Sequence, residues 1–367
     1  MSVVCALGFA LWCWLIQWVL PPSERGSDFR AFYTAAAAPP DRVYDLAWFR
    51  QYQEDLGRRY GRADFQPFPR PPLYAAALRP LAALSYPQAL YVWLGLLSAT
   101  FLGAAWLIRD LYGGDSKILA ALVSFYPVSF SLTIGQDSAL VLAALLLAMR
   151  FHRRGRHWPA ALFLSLAFQK FHLLLLVPLA LVLFRKWPLL GRFGAWSALG
   201  ALLNLALLGR SGLEQYRQVL AAGVVDRMVE RAWNLRNVAA QLGWGGLGFA
   251  ALALLLVGWF LWLSRRLEFE EAFWLSVTFS IVLAWHSLKY DYVLALPLLL
   301  LLWVRHRLWL AAALLFGGLW AHALAPERLA WLIPLLVAAM SLELWGTYHR
   351  RLLIGTGTGT LADKVPA

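Results

Sequence analysis

The sequence predicts an all-α polytopic membrane protein, and three observations predict it. Of the 367 residues, 61% are apolar and only 14% charged, against roughly 25% charged in a soluble domain. The apolar residues fall in runs long enough to cross a bilayer core of about 30 Å, which takes about 20 helical residues. Basic residues gather at the ends of these runs, where they orient membrane helices. Together these features exclude a disordered chain, a disulfide scaffold and a cytosolic enzyme. The two cysteines, Cys5 and Cys13, both sit in the first run and offer neither a disulfide framework nor a zinc cluster.

Taken in order, the first run (3–20) lacks a basic leader, and Val19-Leu20-Pro21 is a poor cleavage site, so it reads as an anchor. A long external loop, about 21–85, follows. Within it Asp41 to Tyr60 forms an amphipathic stretch, with Val43, Tyr44, Leu46, Ala47, Trp48 and Tyr52 on one side. Arg50, Glu54, Asp55, Arg58 and Arg59 form the other, the pattern of a helix lying at the membrane interface. Phe65 to Pro72 reads as a rigid extended turn feeding a short apolar helix. Single spans are expected at 86–108, 193–209 and 246–263.

Four further stretches, 118–149, 158–184, 272–304 and 308–345, carry basic residues at both ends. If both flanks are cytoplasmic, each stretch crosses twice as a hairpin. The expected architecture is a bundle of about 12 transmembrane helices forming one domain over 1–350. Its external loops are 21–85 and 210–245, and a disordered cytoplasmic tail covers 351–367. About half of the 33 basic residues then lie in short cytoplasmic loops or the tail, so the net charge of +13 is no argument for nucleic acid.

The hairpin tips are polar: Gln136 and Asp137, then Lys170 and His172, then His286, Lys289 and Asp291. A stretch of about 30 helical residues covers about 45 Å, short of the roughly 60 Å of two crossings. At least the second hairpin therefore stops below the outer headgroups, where non-helical backbone must be buried in protein or line a watery cavity. Ionisable groups at that depth mark function by default. Bland alternatives exist: Lys170 as a snorkelling cation, Asp137 as a helix cap, His172 as a packed core residue. In the first loop, Asp28 stands a short way beyond the anchor, at the mouth expected for this cavity.

The order of short motifs resembles glycosyltransferase family 87, the polyprenyl-phosphate-mannose-dependent mannosyltransferases with the membrane-embedded GT-C fold. The matching segments are Asp28-Phe29 with Tyr33 and Ala35-Ala36, then Val43-Tyr44-Asp45, then Pro71-Pro72-Leu73 leading to Arg79-Pro80-Leu81. Gly135-Gln136 opening a leucine-rich helix, Lys170 closing a small-residue helix, and Trp285-His286 continue the series. Phe168 to Phe171 lacks the usual proline after the lysine, and Phe68-Pro69-Arg70 replaces the commoner tyrosine–proline lead-in. The resemblance covers most of 20–300.

It implies a sugar carried on a polyprenyl phosphate, attacked by a hydroxyl of a glycolipid or glycan acceptor. A hydroxyl is a weak nucleophile and needs a carboxylate base; position and the family's catalytic aspartate both point to Asp28. The departing phosphate needs cations, which arginine supplies bidentately. Arg30, Arg70, Arg210 and Arg236 are candidates, with Lys170 or Lys289 deeper. Tyr33, Gln136 and Asp291 join them as substrate-binding residues. The matching family histidine implies that His286 orients the acceptor or contacts the phosphate. One displacement gives inversion. The first loop lacks the spaced acidic pair that holds a divalent ion, so neither metal nor cofactor is expected. The expected partners are the lipid donor, the acceptor and membrane lipids. The expected place is the plasma (inner) membrane of a bacterium, with the site facing outward. The alternatives are a transporter or flippase of a lipid-linked anion, which would show repeated halves, and a structural envelope subunit.

Overall fold

The computed structural model describes residues 25–61, 65–113, 115–221 and 232–306, with Ser341. The expected anchor (3–20), the fourth hairpin (308–345) and the tail lie outside these residues. Every regular element described is helical.

The chain enters at α1 (Phe29–Ala37), whose residues from Phe29 to Ala36 are all buried. Next, α2 (Leu46–Tyr60) starts where Asp45 accepts from the amides of Ala47 and Trp48 at 3.0 and 3.1 Å, an N-cap. Its buried face is Phe49, Gln53, Leu56 and Gly57. This corrects the expected apolar side: Ala47 is exposed, and Trp48 and Tyr52 are half-buried. The physical reason is Gln53. Its amide donates to the Gln66 carbonyl at 2.7 Å and accepts from the Gln66 amide at 2.8 Å. The helix is thus docked on the proline-rich turn.

That turn leads into α3 (Pro72–Leu78) and a 3₁₀ turn (Arg79–Ala83). Then α4 (Tyr86–Tyr112) begins at a capping box of Ser85 and Gln88. The first long stretch breaks into α5 (Asp115–Ser124), α6 (Tyr126–Ile134) and α7 (Ser138–Arg153). The second gives α8 (His157–Ala167), a 3₁₀ segment (Phe168–Leu173) and α9 (Val177–Leu183), bent by 119°. Pro72, Pro87, Pro127 and Pro178 stand in first turns, where the missing N–H costs nothing.

Next, α10 (Trp187–Ala221) is kinked at Gly209 and carries the helix well into the expected second loop. The short α11 (Leu235–Gln241) and the apolar α12 (Gly245–Ser264) follow. The third stretch is α13 (Phe269–Leu283), an irregular segment, a 3₁₀ segment (Lys289–Ala295) and α14 (Leu296–His306).

Three described helices, α4, α10 and α12, are long and apolar enough to cross a membrane, with a fourth if the bent α8–α9 pair counts as one. The expected count of about twelve is not reached among the described residues, which leave out 3–20 and 308–345, and each described long stretch is interrupted by a turn or a 3₁₀ segment. The feet of the hairpins do gather at one end. Arg153 pairs with Glu270 and donates to the Leu111 carbonyl, Arg150 pairs with Asp110 at 2.9 Å, and Lys186 lies over the Phe269 ring.

Candidate active site

The three described tips converge on the first loop at the other end. Gly26 donates its amide to the Thr133 carbonyl at 2.8 Å, and Asp28 donates to Ile134 at 3.0 Å. These bonds tie the residue before α1 to the last turn of α6. Gly135 then turns the chain at φ +73°, and a Cβ there would stand 2.8 Å from Phe29 Cβ. Only glycine accepts both the left-handed backbone and that approach. Trp93 of α4 closes the turn, donating Nε1–H to the Gly135 carbonyl at 2.8 Å while stacking on Phe29. Because this turn fixes where α7 begins, Gln136 arrives beside Asp28, and its Nε2 donates to Asp28 Oδ2 at 2.7 Å.

Asp137 sits at the N-cap of α7 but makes no capping hydrogen bond. Its fully buried carboxylate instead takes Arg70 Nη2 at 2.9 Å and Lys170 Nζ at 2.8 Å. Arg70 is carried there by the proline-rich turn, whose carbonyl at Arg70 accepts from the Tyr44 hydroxyl at 2.6 Å. Lys170 occupies a non-helical position in the second tip (φ −106°, ψ 51°), which breaks the helix and aims the side chain inward. Its ammonium also reaches Asp291 Oδ1 at 3.2 Å and Ser138 Oγ at 3.0 Å. The Leu288 amide holds Asp291 Oδ2 at 3.0 Å. The snorkelling and capping alternatives therefore do not describe Lys170 and Asp137.

Of these residues Asp28, Arg70, Gln136, Lys170 and Asp291 line a cavity of about 160 Å³, together with His172, His286, Tyr290, Gln66 and Pro69 among others. Two cations face two buried carboxylates, Asp137 and Asp291. That pairing is what tolerates charge in a low-dielectric site, and it leaves Asp28 as the carboxylate without an ion-pair partner among these. Burial pushes the Asp28 carboxyl up to about 6, against the pull of Lys170 and the Gln136 hydrogen bond. A second groove of about 640 Å³, mainly apolar, runs between α3, α7, α8 and α10. It begins at Pro71 and Tyr74, next to Arg70.

A comparison with family models decides the class: the one described as Glycosyltransferase family 87 matches residues 68–288, more than half of the chain. The chain belongs to glycosyltransferase family 87. It is a membrane glycosyltransferase, acting on a sugar donor and an acceptor. No curated protein and no solved structure matches it. The family match is shorter than the resemblance read over 20–300: Asp28, Arg30 and Tyr33 precede it, and Lys289 and Asp291 follow it.

Of the expected site residues, this glycosyltransferase brings Asp28, Arg70, Gln136, Lys170, His286 and Asp291 to one cavity. Arg30 is buried in α1 off the cavity wall. The Tyr33 hydroxyl donates to the Leu84 carbonyl at 2.8 Å. Arg236 approaches the Trp285 carbonyl at 3.5 Å, Lys289 lies over the Trp233 and Phe130 rings, and Arg210 is exposed. Sequence reasoning left out of the chosen set Asp137 and Ser138, which bind Lys170 without lining the cavity, and His172 and Tyr290, which line it, although Asp137 and His172 stood among the polar tip residues. The first two follow Gln136 directly, and Tyr290 lies between two chosen residues, so proximity to a polar tip was the signal available.

Proposed function

We propose that this glycosyltransferase moves mannose from a polyprenyl-phosphate donor to a hydroxyl of a glycolipid or glycan acceptor, with Asp28 as general base. The observation that carries the reading is the Asp28 carboxylate, held by Gln136 on the wall of a cavity that also holds Arg70 and His286. In the proposed reaction the acceptor hydroxyl gives its proton to Asp28 as its oxygen bonds to the anomeric carbon. The bond from that carbon to the phosphate oxygen breaks, and polyprenyl phosphate leaves with the electron pair. A single displacement inverts the anomeric centre. A carboxylate whose pKa is raised toward working pH is the better base. Arg70, whose guanidinium is held by Asp137 on the cavity wall, stabilises the phosphate as charge develops on it. His286 orients the acceptor or contacts the phosphate. The isoprenoid chain fits the apolar groove beginning at Pro71, one residue from Arg70.

In this reading one membrane domain of about twelve spans sits in the plasma (inner) membrane of a bacterium, its cavity open to the outer side. The test is transfer from radiolabelled polyprenyl-phosphate-mannose in membranes carrying wild type or Asp28→Asn. Loss of the base should cost on the order of 10²-fold or more; transfer by the mutant at the wild-type rate sinks the assignment. Movement of intact donor lipid across the bilayer without sugar transfer would instead mark a transporter.

A further inference from the structure

Gln136 stands where the first loop, the proline-rich turn and two hairpin tips meet, and it is buried. Its amide is fixed at both ends. Oε1 accepts from Arg70 Nη2 at 3.3 Å, from Lys170 Nζ at 3.4 Å and from the Asp137 amide at 3.0 Å. A flipped amide would turn its NH₂ onto two cations and an N–H, so the three donors decide the orientation. The NH₂ group is thereby directed at Asp28 Oδ2, 2.7 Å away.

We propose that Gln136 is a positioning residue rather than a substrate ligand. It converts the positive charge of Arg70 and Lys170 into one fixed neutral donor that holds Oδ2 of Asp28. Oδ1, which accepts only a long bond of 3.5 Å from the Ser27 hydroxyl, takes the acceptor proton. A glutamine does this where a lysine or arginine would not: a direct cation would pair with Asp28 and weaken it as a base. The inference rests on the reading of Asp28 as general base. The other charged or titratable groups around Asp28 are Lys170 from the second tip, Asp137 from the first, Asp291 and Tyr290 from the third, and Arg70 from the proline-rich turn. His172 and His286 share the cavity.

The experiment compares full-length wild type, Gln136→Glu, Gln136→Met and Asp28→Asn in sugar transfer from polyprenyl-phosphate-mannose across pH, with thermal unfolding in detergent alongside. Gln136→Glu keeps the shape and the acceptor oxygens while removing the donor; Gln136→Met removes both. At pH 7 each should lose about tenfold or more in kcat, with KM for donor and acceptor within about twofold. The active form of Asp28 is deprotonated, so activity falls as pH drops through its pKa. Removing a donor to the ionised form, or adding a second carboxylate, raises that pKa. The acid limb should therefore move to higher pH by about one unit, and part of the loss should return above about pH 8. A loss uniform across pH would reflect only damaged structure and would overturn the proposal. So would a rise in KM alone, which marks a substrate ligand. Gln136→Glu keeps the test open if Gln136→Met does not fold. Inactive Asp28→Asn beside an unaltered Gln136→Glu overturns the positioning role alone. Active Asp28→Asn overturns the base reading and this role with it.

Discussion

Gly135→Ala should damage the site through backbone alone. The residue sits at φ +73°, a conformation that costs an L-residue roughly 1–2 kcal/mol. The added Cβ would also stand 2.8 Å from Phe29 Cβ, where carbon atoms settle at about 3.5–4.0 Å. Phe29 must then withdraw by about 1 Å. It has little room to do so, being fully buried with its ring centroid 6.0 Å from Trp93 and 5.7 Å from Tyr86. Asp28, one residue before it and bonded to Ile134, must follow. A displacement of about 1 Å at a reacting group costs on the order of 10²-fold in rate. The assay is sugar transfer with thermal unfolding in detergent, set against Gly155→Ala. Gly155 has φ +69° with nothing within 4 Å of an added Cβ, so it isolates the strain from the clash. Gly155→Ala should lose a little stability and keep its kcat; Gly135→Ala should lose both. Wild-type kcat in Gly135→Ala, with a Tm equal to that of Gly155→Ala, would refute the reasoning.

Lys170→Met removes the cation shared by Asp137 and Asp291. Breaking a buried pair from one side costs about 3–5 kcal/mol, so Tm should fall sharply, and adding Asp291→Asn should recover part of the loss. Lys170→Met as stable as wild type would mean that the cation is not structural. Gln53→Ala deletes both hydrogen bonds that dock α2 on Gln66, at about 1–3 kcal/mol. Limited proteolysis should then cut the first loop faster while the transmembrane helices stay protected; an unchanged cleavage rate would show that α2 is held otherwise.

The all-helical membrane class was legible because it rests on composition and run length, which are local. The single spans were too: α4, α10 and α12 contain the expected 86–108, 193–209 and 246–263. The polar tips were legible because charge in an apolar stretch is visible in one dimension. The face of α2 was not. Periodicity places apolar residues outward or inward equally well, and the buried member that decides, Gln53, is polar and finds its partners thirteen residues away.

The sequence by itself pointed to an all-α membrane protein with polar tips at Gln136 and Asp137, at Lys170 and His172, and at His286, Lys289 and Asp291, and to a resemblance to glycosyltransferases, because hydropathy, charge and short motifs are properties of contiguous residues. Which charges meet was decided only by tertiary structure. Arg70 and Lys170 stood as equal phosphate candidates along the chain. In the folded protein Lys170 is held by two carboxylates, Asp137 and Asp291, and Arg70 by Asp137, and both cations line one cavity. Pairing across 67 and 121 residues depends on where three helix breaks come together in space. No local pattern encodes that distance.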